Sequence, residues 1–192
     1  MKKLSLKRMT SAALLVALGI IIPTFSPLKI VIEPASFTLA SHVPIFMAMF
    51  ISPATALAVA IGTTVGFFMG GFPIVVVLRA ASHLLFVTLG SYYLKKSPQI
   101  TVSPARLRVF SFAIGVIHAA GEVAVSSLFY FGNRMTSGYY QNGFVYSILL
   151  LVGVGTVIHS MIDFEISWLL TKAICKDSNV AALFSGIKIP NE

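Results

Sequence analysis

Charge is scarce in this chain. Of its 192 residues only 14 are Lys or Arg and 6 are Asp or Glu, so 10% is charged against 57% hydrophobic. A water-soluble domain of this length usually carries about 25% charged residues. The deficit implies that lipid, not water, covers most of the surface. Cysteine is nearly absent too. A single Cys175 excludes an internal disulfide framework and any multi-cysteine metal centre. No GxxxxGK[ST] loop occurs, so nothing in the chain cradles a nucleotide triphosphate. No GxSxG occurs, and no two carboxylates fall at matching depths, which argues against a serine hydrolase and an intramembrane protease. No internal repeat, low-complexity tract or appended soluble domain is visible; a carrier working alone commonly shows two repeated halves.

What is there is apolar and segmented. Six runs can be marked, at roughly 10–26, 36–52, 54–71, 73–94, 106–131 and 143–174, each near or above the ~17–25 residues of a membrane helix. Ser52-Pro53 makes a tight turn with Pro at a helix start, and Gly70-Gly71-Phe72-Pro73 makes another break. The start, MKKLSLKRMTSAALLVALGIII, has the basic and apolar regions of a signal peptide but no small-x-small cleavage site before a soluble domain. It is read as a retained first span. The expected architecture is one all-α integral-membrane domain over residues 1–192, a six-transmembrane-helix bundle in the cell membrane.

The net charge of +8 points to topology and not to nucleic acid, because the basic residues separate apolar runs and form no aromatic-interleaved patch. Lys2, Lys3, Lys7 and Arg8 precede span one. Lys95, Lys96, Arg106 and Arg108 lie between spans four and five, and Lys172, Lys176 and Lys188 end the chain. With both termini cytoplasmic, these eleven fall inside, while Lys29 and Arg134 fall outside and Arg79 within a span. The first outer loop, SPLKIVIEPASFTLASH, alternates in part. Leu28, Ile30 and Ile32 oppose Lys29, Val31 and Glu33, as in a short extended flap. Such a loop is either a lid over the bundle or an interfacial segment.

Arg79 and His83 sit one helical turn apart in the oily stretch VLRAASHLLF, on one face. At about 1.5 Å per residue from Pro73, Arg79 lies ~9 Å deep and His83 ~15 Å. His118 and Glu122 in span five repeat the spacing and reach the outer half of the bundle. A bare charge at mid-bilayer costs ~2.5–3.5 kcal/mol on insertion scales, so the cluster implies a polar cavity or mutual pairing. Paired with Glu122, Arg79 would merely fasten the bundle. Used functionally, it would bind a small anion while Glu122 and the histidines orient the rest. Intramembrane ionisable groups favour the second reading.

His159 and Asp163 form a third such pair, with Glu165 and Trp168 following. They are expected near the cytoplasmic end, with helix-end roles for the acids and an interfacial anchor in Trp168. His42 either lines the cavity or meets headgroups. A metal is disfavoured, since no two histidines are close in the chain, HxxxE is not HExxH, and Arg79 would repel a dication. Gly62-x-x-x-Gly66 and Gly66-x-x-x-Gly70 suit close helix packing within the bundle, whereas Ala13-x-x-x-Ala17 leaves a small-residue patch on span one for a second membrane protein.

Taken together these features resemble the substrate-binding S component of energy-coupling factor (ECF) vitamin transporters, over essentially the whole chain. The resemblance rests on the basic N-terminus, six spans of uneven length, the long first outer loop and the Ala13/Ala17 motif. SPLKIVIEPASFTLASHVPIFMAMFISP and GFPIVVVLRAASHLLF look most like the members assigned to niacin. The resemblance implies a multi-pass subunit that captures a small-molecule vitamin from outside, with no enzymatic activity, cofactor or resident metal. It implies a site formed by Arg79, His83, His118 and Glu122 with Tyr139, Asn142 and Tyr146. It also implies that Ala13 and Ala17 dock the transmembrane coupling subunit, and that two separate ATPase subunits supply energy. Nicotinate, a small aromatic carboxylate, would suit a forked contact from Arg79; pantothenate would use the same arginine. Proton-coupled carriage by the chain alone is the rival that Glu122 and the histidines raise. A membrane scaffold would need neither Arg79 nor Glu122 at cavity depth.

Overall fold

The computed structural model describes residues 6–32 and 35–188. Lys2, Lys3 and Glu33 of the sequence reading lie outside these residues, as do the side chains of residues 29–36 and the facing expected of Ile30, Val31 and Ile32. The chain is mostly helix. α1 (Leu6–Phe25) leads into an antiparallel hairpin of β1 (Lys29–Ile32) and β2 (Ala35–Thr38), with Lys29 opposite Thr38 and Ile32 opposite Ala35. Then come α2 (Val43–Ile51), α3 (Pro53–Met69), α4 (Ile74–Lys96), a 3-10 turn at Pro98–Val102 and α5 (Pro104–Phe131). A short α6 (Ser137–Gln141) precedes a π-helical run, Val145–Val154, which continues as α7 (Gly155–Ile174); α8 (Ser178–Ala181) closes the chain.

Among the described residues, four helical elements are long and apolar enough to cross a membrane: Leu6–Phe25, Ile74–Lys96, Pro104–Phe131 and Val145–Ile174. They match the first, fourth, fifth and sixth expected spans. α3 has 17 residues and is a shorter apolar helix. The second expected span differs. Its first residues form β2, and helix begins only at Val43, so α2 has nine residues, about 13 Å of rise against a ~30 Å hydrocarbon core. The apolar run of residues 36–52 is therefore divided between a strand and a half-length helix. The segment read as an extended flap forms the first strand of the hairpin.

Both ends of α2 are held by distant parts of the chain, which explains how so short a helix is fixed. At its start Asp163 accepts the backbone N–H groups of Ala40 and His42, both at 2.8 Å, placing a carboxylate on the positive end of the helix dipole. At its end the C-terminal segment donates from the Ser185 and Gly186 amides to the Ile51 and Phe50 carbonyls. Ser52 then caps α3 by accepting from the Thr55 amide at 3.2 Å, as expected where Ser-Pro opens a helix.

Packing follows the small residues. A Cβ at Gly62 would meet Val16 at 2.6 Å, and one at Gly66 would meet Ile20, so these α3 glycines receive α1 side chains. Below the hairpin the core is aromatic. Phe46, Phe50 and Phe164 are fully enclosed, with Phe164 5.3 Å from Phe46 and 5.4 Å from Phe50 between ring centroids. Trp168 belongs to this core. It is buried against Phe50 with ring centroids 5.6 Å apart, which corrects the expectation of an interfacial anchor. Large apolar side chains such as Leu85, Leu128, Leu149 and Leu169 point outward from the long helices, a surface suited to lipid.

Candidate functional site

The site is built around one buried carboxylate. Arg79 and His83 project from one face of α4, and His118 and Glu122 from one face of α5, as the i, i+4 spacing requires. Gly121 lets the two helices approach beside them; a Cβ there would lie 3.2 Å from the Ser82 hydroxyl. Arg79 Nη2 donates to Glu122 Oε2 at 2.6 Å, and the Thr156 hydroxyl donates to the same oxygen at 2.9 Å. The other oxygen, Oε1, faces His83 Nε2 at 3.4 Å and His118 Nε2 at 3.5 Å. The Arg79–Glu122 contact is one-sided, because Arg79 Nε is buried and has no hydrogen-bond partner among the described residues.

A second group adjoins the first. His42 stands with its ring centroid 5.0 Å from His83, 4.7 Å from His118 and 5.0 Å from His159. All four histidines of the sequence thus converge at one place. Ser41 bonds to both His42 Nδ1, at 3.2 Å, and His159 Nε2, at 3.1 Å. Asp163 Oδ2 lies 3.3 Å from each of those two nitrogens. The turn that delivers this contact is strained. Ala40 has φ of 68°, a conformation that costs a non-glycine residue roughly 1–3 kcal/mol and persists only where neighbours impose it. The two hydrogen bonds to Asp163 supply that constraint.

These groups open into a cavity of about 330 Å³, at the small end of the ~300–1,000 Å³ range of small-molecule sites. Its polar wall comprises Ser41, His42, Arg79, His83, Glu122, Thr156 and His159. Gly19 and Pro23 of α1, Phe67 of α3 and Phe72 form an apolar wall, with Phe67 and Phe72 stacked at 4.6 Å. Two residues come from the hairpin end. Phe37 of β2 packs 5.6 Å from the His159 ring and against Gly155, where an added Cβ would meet its ring at 2.7 Å. Tyr139 of α6 reaches in from above. Burial raises its pKa above the ordinary tyrosine value, so it stands as a neutral hydroxyl donor.

A search among curated proteins gives the family. The chain is 41% identical over 176 residues to the niacin transporter NiaX of Lactococcus lactis subsp. cremoris (strain MG1363), covering 91% of this chain and 78% of that protein. The chain belongs to the niacin transporter family. No family model matches it, and no solved structure matches it. Membership agrees with the likeness to niacin-assigned members seen in GFPIVVVLRAASHLLF, and with a multi-pass membrane protein.

Within this family member the sequence-expected residues separate into two sets. Arg79, His83, Glu122 and Tyr139 line the cavity, and His118 stands immediately behind them. Asn142 and Tyr146 do not line it. Asn142 is exposed, and Tyr146 is 43% exposed at the start of the π-helical run. Gly143, with φ of 76°, turns the chain between them. His159 and Asp163 correct the expectation of a cytoplasmic-end role. They meet His42 because α2 starts after the hairpin, so the chain returns to helix only where α7 is at mid-length. Glu165 is at the exposed surface, 3.9 Å from Arg108, but in the middle of α7 and not at a helix end. Phe37, Ser41 and Thr156 escaped the sequence reading, since a Phe in a flap and hydroxyls in apolar runs carry no signal by themselves. Ala13 and Ala17 are exposed on α1.

Proposed function

We propose that this chain is the substrate-capture S subunit of an ECF-type vitamin importer and that its cargo is nicotinate. The observation that carries the reading is the guanidinium of Arg79 at an aromatic-walled cavity, with its buried Nε–H unpartnered among the described residues. A carboxylate is the complement of such a donor. The pyridine ring would lie between the apolar wall and the imidazoles, with Tyr139 donating from above. Relatedness to a niacin transporter supports the cargo.

The mechanism proposed has three parts. Six helical segments, α2 being the half-length one, form the bundle with both termini cytoplasmic. The hairpin and α6 close over the vitamin from outside. The exposed Ala13 and Ala17 face then docks the transmembrane coupling subunit, which two separate ATPase subunits drive. Sequestering the cargo under the hairpin supports capture at low external concentration.

The test is calorimetric titration of nicotinate into the detergent-purified chain, together with mass spectrometry of co-purifying small molecules. Tight binding of nicotinate that is absent in Arg79→Ala supports the reading. Preference for pantothenate would reassign the cargo. Sustained uptake by the chain alone in proteoliposomes would replace capture with single-chain carriage.

A further inference from the structure

We propose that His83, His118 and Glu122, completed by His42, form a binding site for one divalent first-row transition metal ion inside the cavity. One ligand atom from each of these four residues lies within 4.8 Å of the others. Metal–ligand bonds of about 2.1 Å in tetrahedral geometry place ligand atoms about 3.4 Å apart. Glu122 Oε1 lies 3.4 Å from His83 Nε2 and 3.5 Å from His118 Nε2, so two of the tetrahedral edges already have the right length. Three imidazoles and one carboxylate form a donor set that suits zinc and its first-row neighbours.

The surroundings are arranged as a metal site requires. His118 is 1% exposed, and among the described residues its Nε2 has no hydrogen-bond partner, although it lies 3.5 Å from Oε1. Its other ring nitrogen lies 3.3 Å from the Ser160 hydroxyl. In the tautomer whose Nδ1–H donates to Ser160, Nε2 presents toward Oε1 the lone pair that a metal ligand needs. Outer partners that orient ligands in this way are the rule at metal sites. Arg79 does not oppose the ion. It and Thr156 both donate to Oε2, which leaves Oε1 for coordination and makes Arg79 a partner of the far oxygen. The wide chain spacing of the histidines is no obstacle either, because the ligands come from α4, α5 and the start of α2. The alternative set of His42, His159 and Asp163 is less suited, because both Asp163 oxygens already accept backbone N–H groups.

Charge points the same way. Arg79 and Glu122 share the cavity wall as one ion pair, and a carboxylate cargo brings a further negative charge to it. A dication beside Glu122 offsets that charge. This charge argument rests on the nicotinate reading above; the geometric one does not.

The experiment uses the full chain in detergent, with any affinity tag removed, after chelator treatment. Titration with Co(II) is expected to show one ion per chain, with the visible d–d absorption of tetrahedral coordination, displaced by Zn(II). His118→Gln and His83→Gln are each expected to weaken Co(II) uptake at least tenfold. The wild-type reading stands whether or not those variants fold. Failure of the chelator-treated wild type to take up Co(II) or Zn(II) stoichiometrically overturns the proposal, as does an unchanged Co(II) spectrum in a monodisperse His118→Gln protein. Nicotinate titration in chelator separates the two readings. Nicotinate bound with no ion taken up sinks the metal site alone, and an ion bound with no affinity for nicotinate sinks the cargo alone.

Discussion

Asp163 grips His42 twice. Its Oδ2 accepts the His42 backbone N–H at 2.8 Å and lies 3.3 Å from Nδ1 of the same residue's ring. One carboxylate on α7 thus fixes both the start of α2 and the imidazole at the centre of the four-histidine cluster. Replacing it separates those roles. Asp163→Ala removes two backbone hydrogen bonds and two imidazole contacts to a buried charge acceptor, each hydrogen bond to a charged group being worth about 1.5–3 kcal/mol. It is expected to lower the melting temperature in detergent and to weaken nicotinate binding at least tenfold. Asp163→Asn keeps one acceptor and is expected to fall between. Calorimetric binding beside thermal unfolding reads both, and wild-type affinity in Asp163→Ala would show that His42 needs no such support.

Arg79 presents a harder separation, because Arg79→Ala also strands Glu122. Breaking one partner of a buried ion pair typically costs about 3–5 kcal/mol, so lost binding in that variant could reflect lost folding. The double variant Arg79→Ala/Glu122→Gln removes the stranded charge. It is expected to recover most of the thermal stability of the wild type while binding nicotinate at least a hundredfold more weakly. Recovery of binding along with stability would reduce Arg79 to a fastener of the bundle.

The Arg79–Glu122 pair was visible in the sequence because two i, i+4 pairs at comparable depth, in neighbouring spans, leave few ways to satisfy a buried charge. The His42–Asp163 pair was not. It depends on α2 being nine residues long, and hydropathy cannot see that Ala35–Thr38 is strand and Val43–Ile51 helix when both are apolar. Depth counted from either end of the last span then assigns Asp163 to the wrong neighbourhood. The alternation of residues 28–33 gave an extended segment, which β1 is over Lys29–Ile32, but not its pairing with β2. Trp168 misled for a related reason: its position near Lys172 suggests an interface, while the facing Phe50 that buries it lies on the half-length helix.

Coupling and capture are expected to part at α1. Ala13 and Ala17 are exposed on the bundle surface, whereas the neighbouring Ala12, Leu15 and Gly19 face inward. Ala13→Leu/Ala17→Leu therefore adds bulk outside the fold and outside the cavity. Nicotinate titration of the purified chain should give wild-type affinity within about twofold, and thermal unfolding should be unchanged. If the proposed coupling subunit docks on this face, uptake of radiolabelled nicotinate by cells expressing the variant should fall to background. Normal uptake would mean that no partner needed for transport docks there.

The hairpin's hold on the cavity comes down to Phe37 seated on Gly155. Any side chain at position 155 must displace that ring, since an added Cβ would meet Phe37 Cζ at 2.7 Å. Gly155→Ala is expected to lift the hairpin and speed nicotinate release about tenfold, with little effect on the Arg79 and Glu122 end of the cavity. Phe37→Ala removes the ring itself, and with it the contact to His159, an aromatic pair worth about 0.5–1.5 kcal/mol beyond its buried area. If Gly155 acts only by seating that ring, Gly155→Ala should change nothing further in the Phe37→Ala background. Release rates from stopped-flow displacement on the four proteins complete the cycle, and the difference between the single and double variants measures the coupling. Additive effects would mean that Gly155 serves the winding of the adjoining π-helical run instead, and that the hairpin closes the site by other contacts.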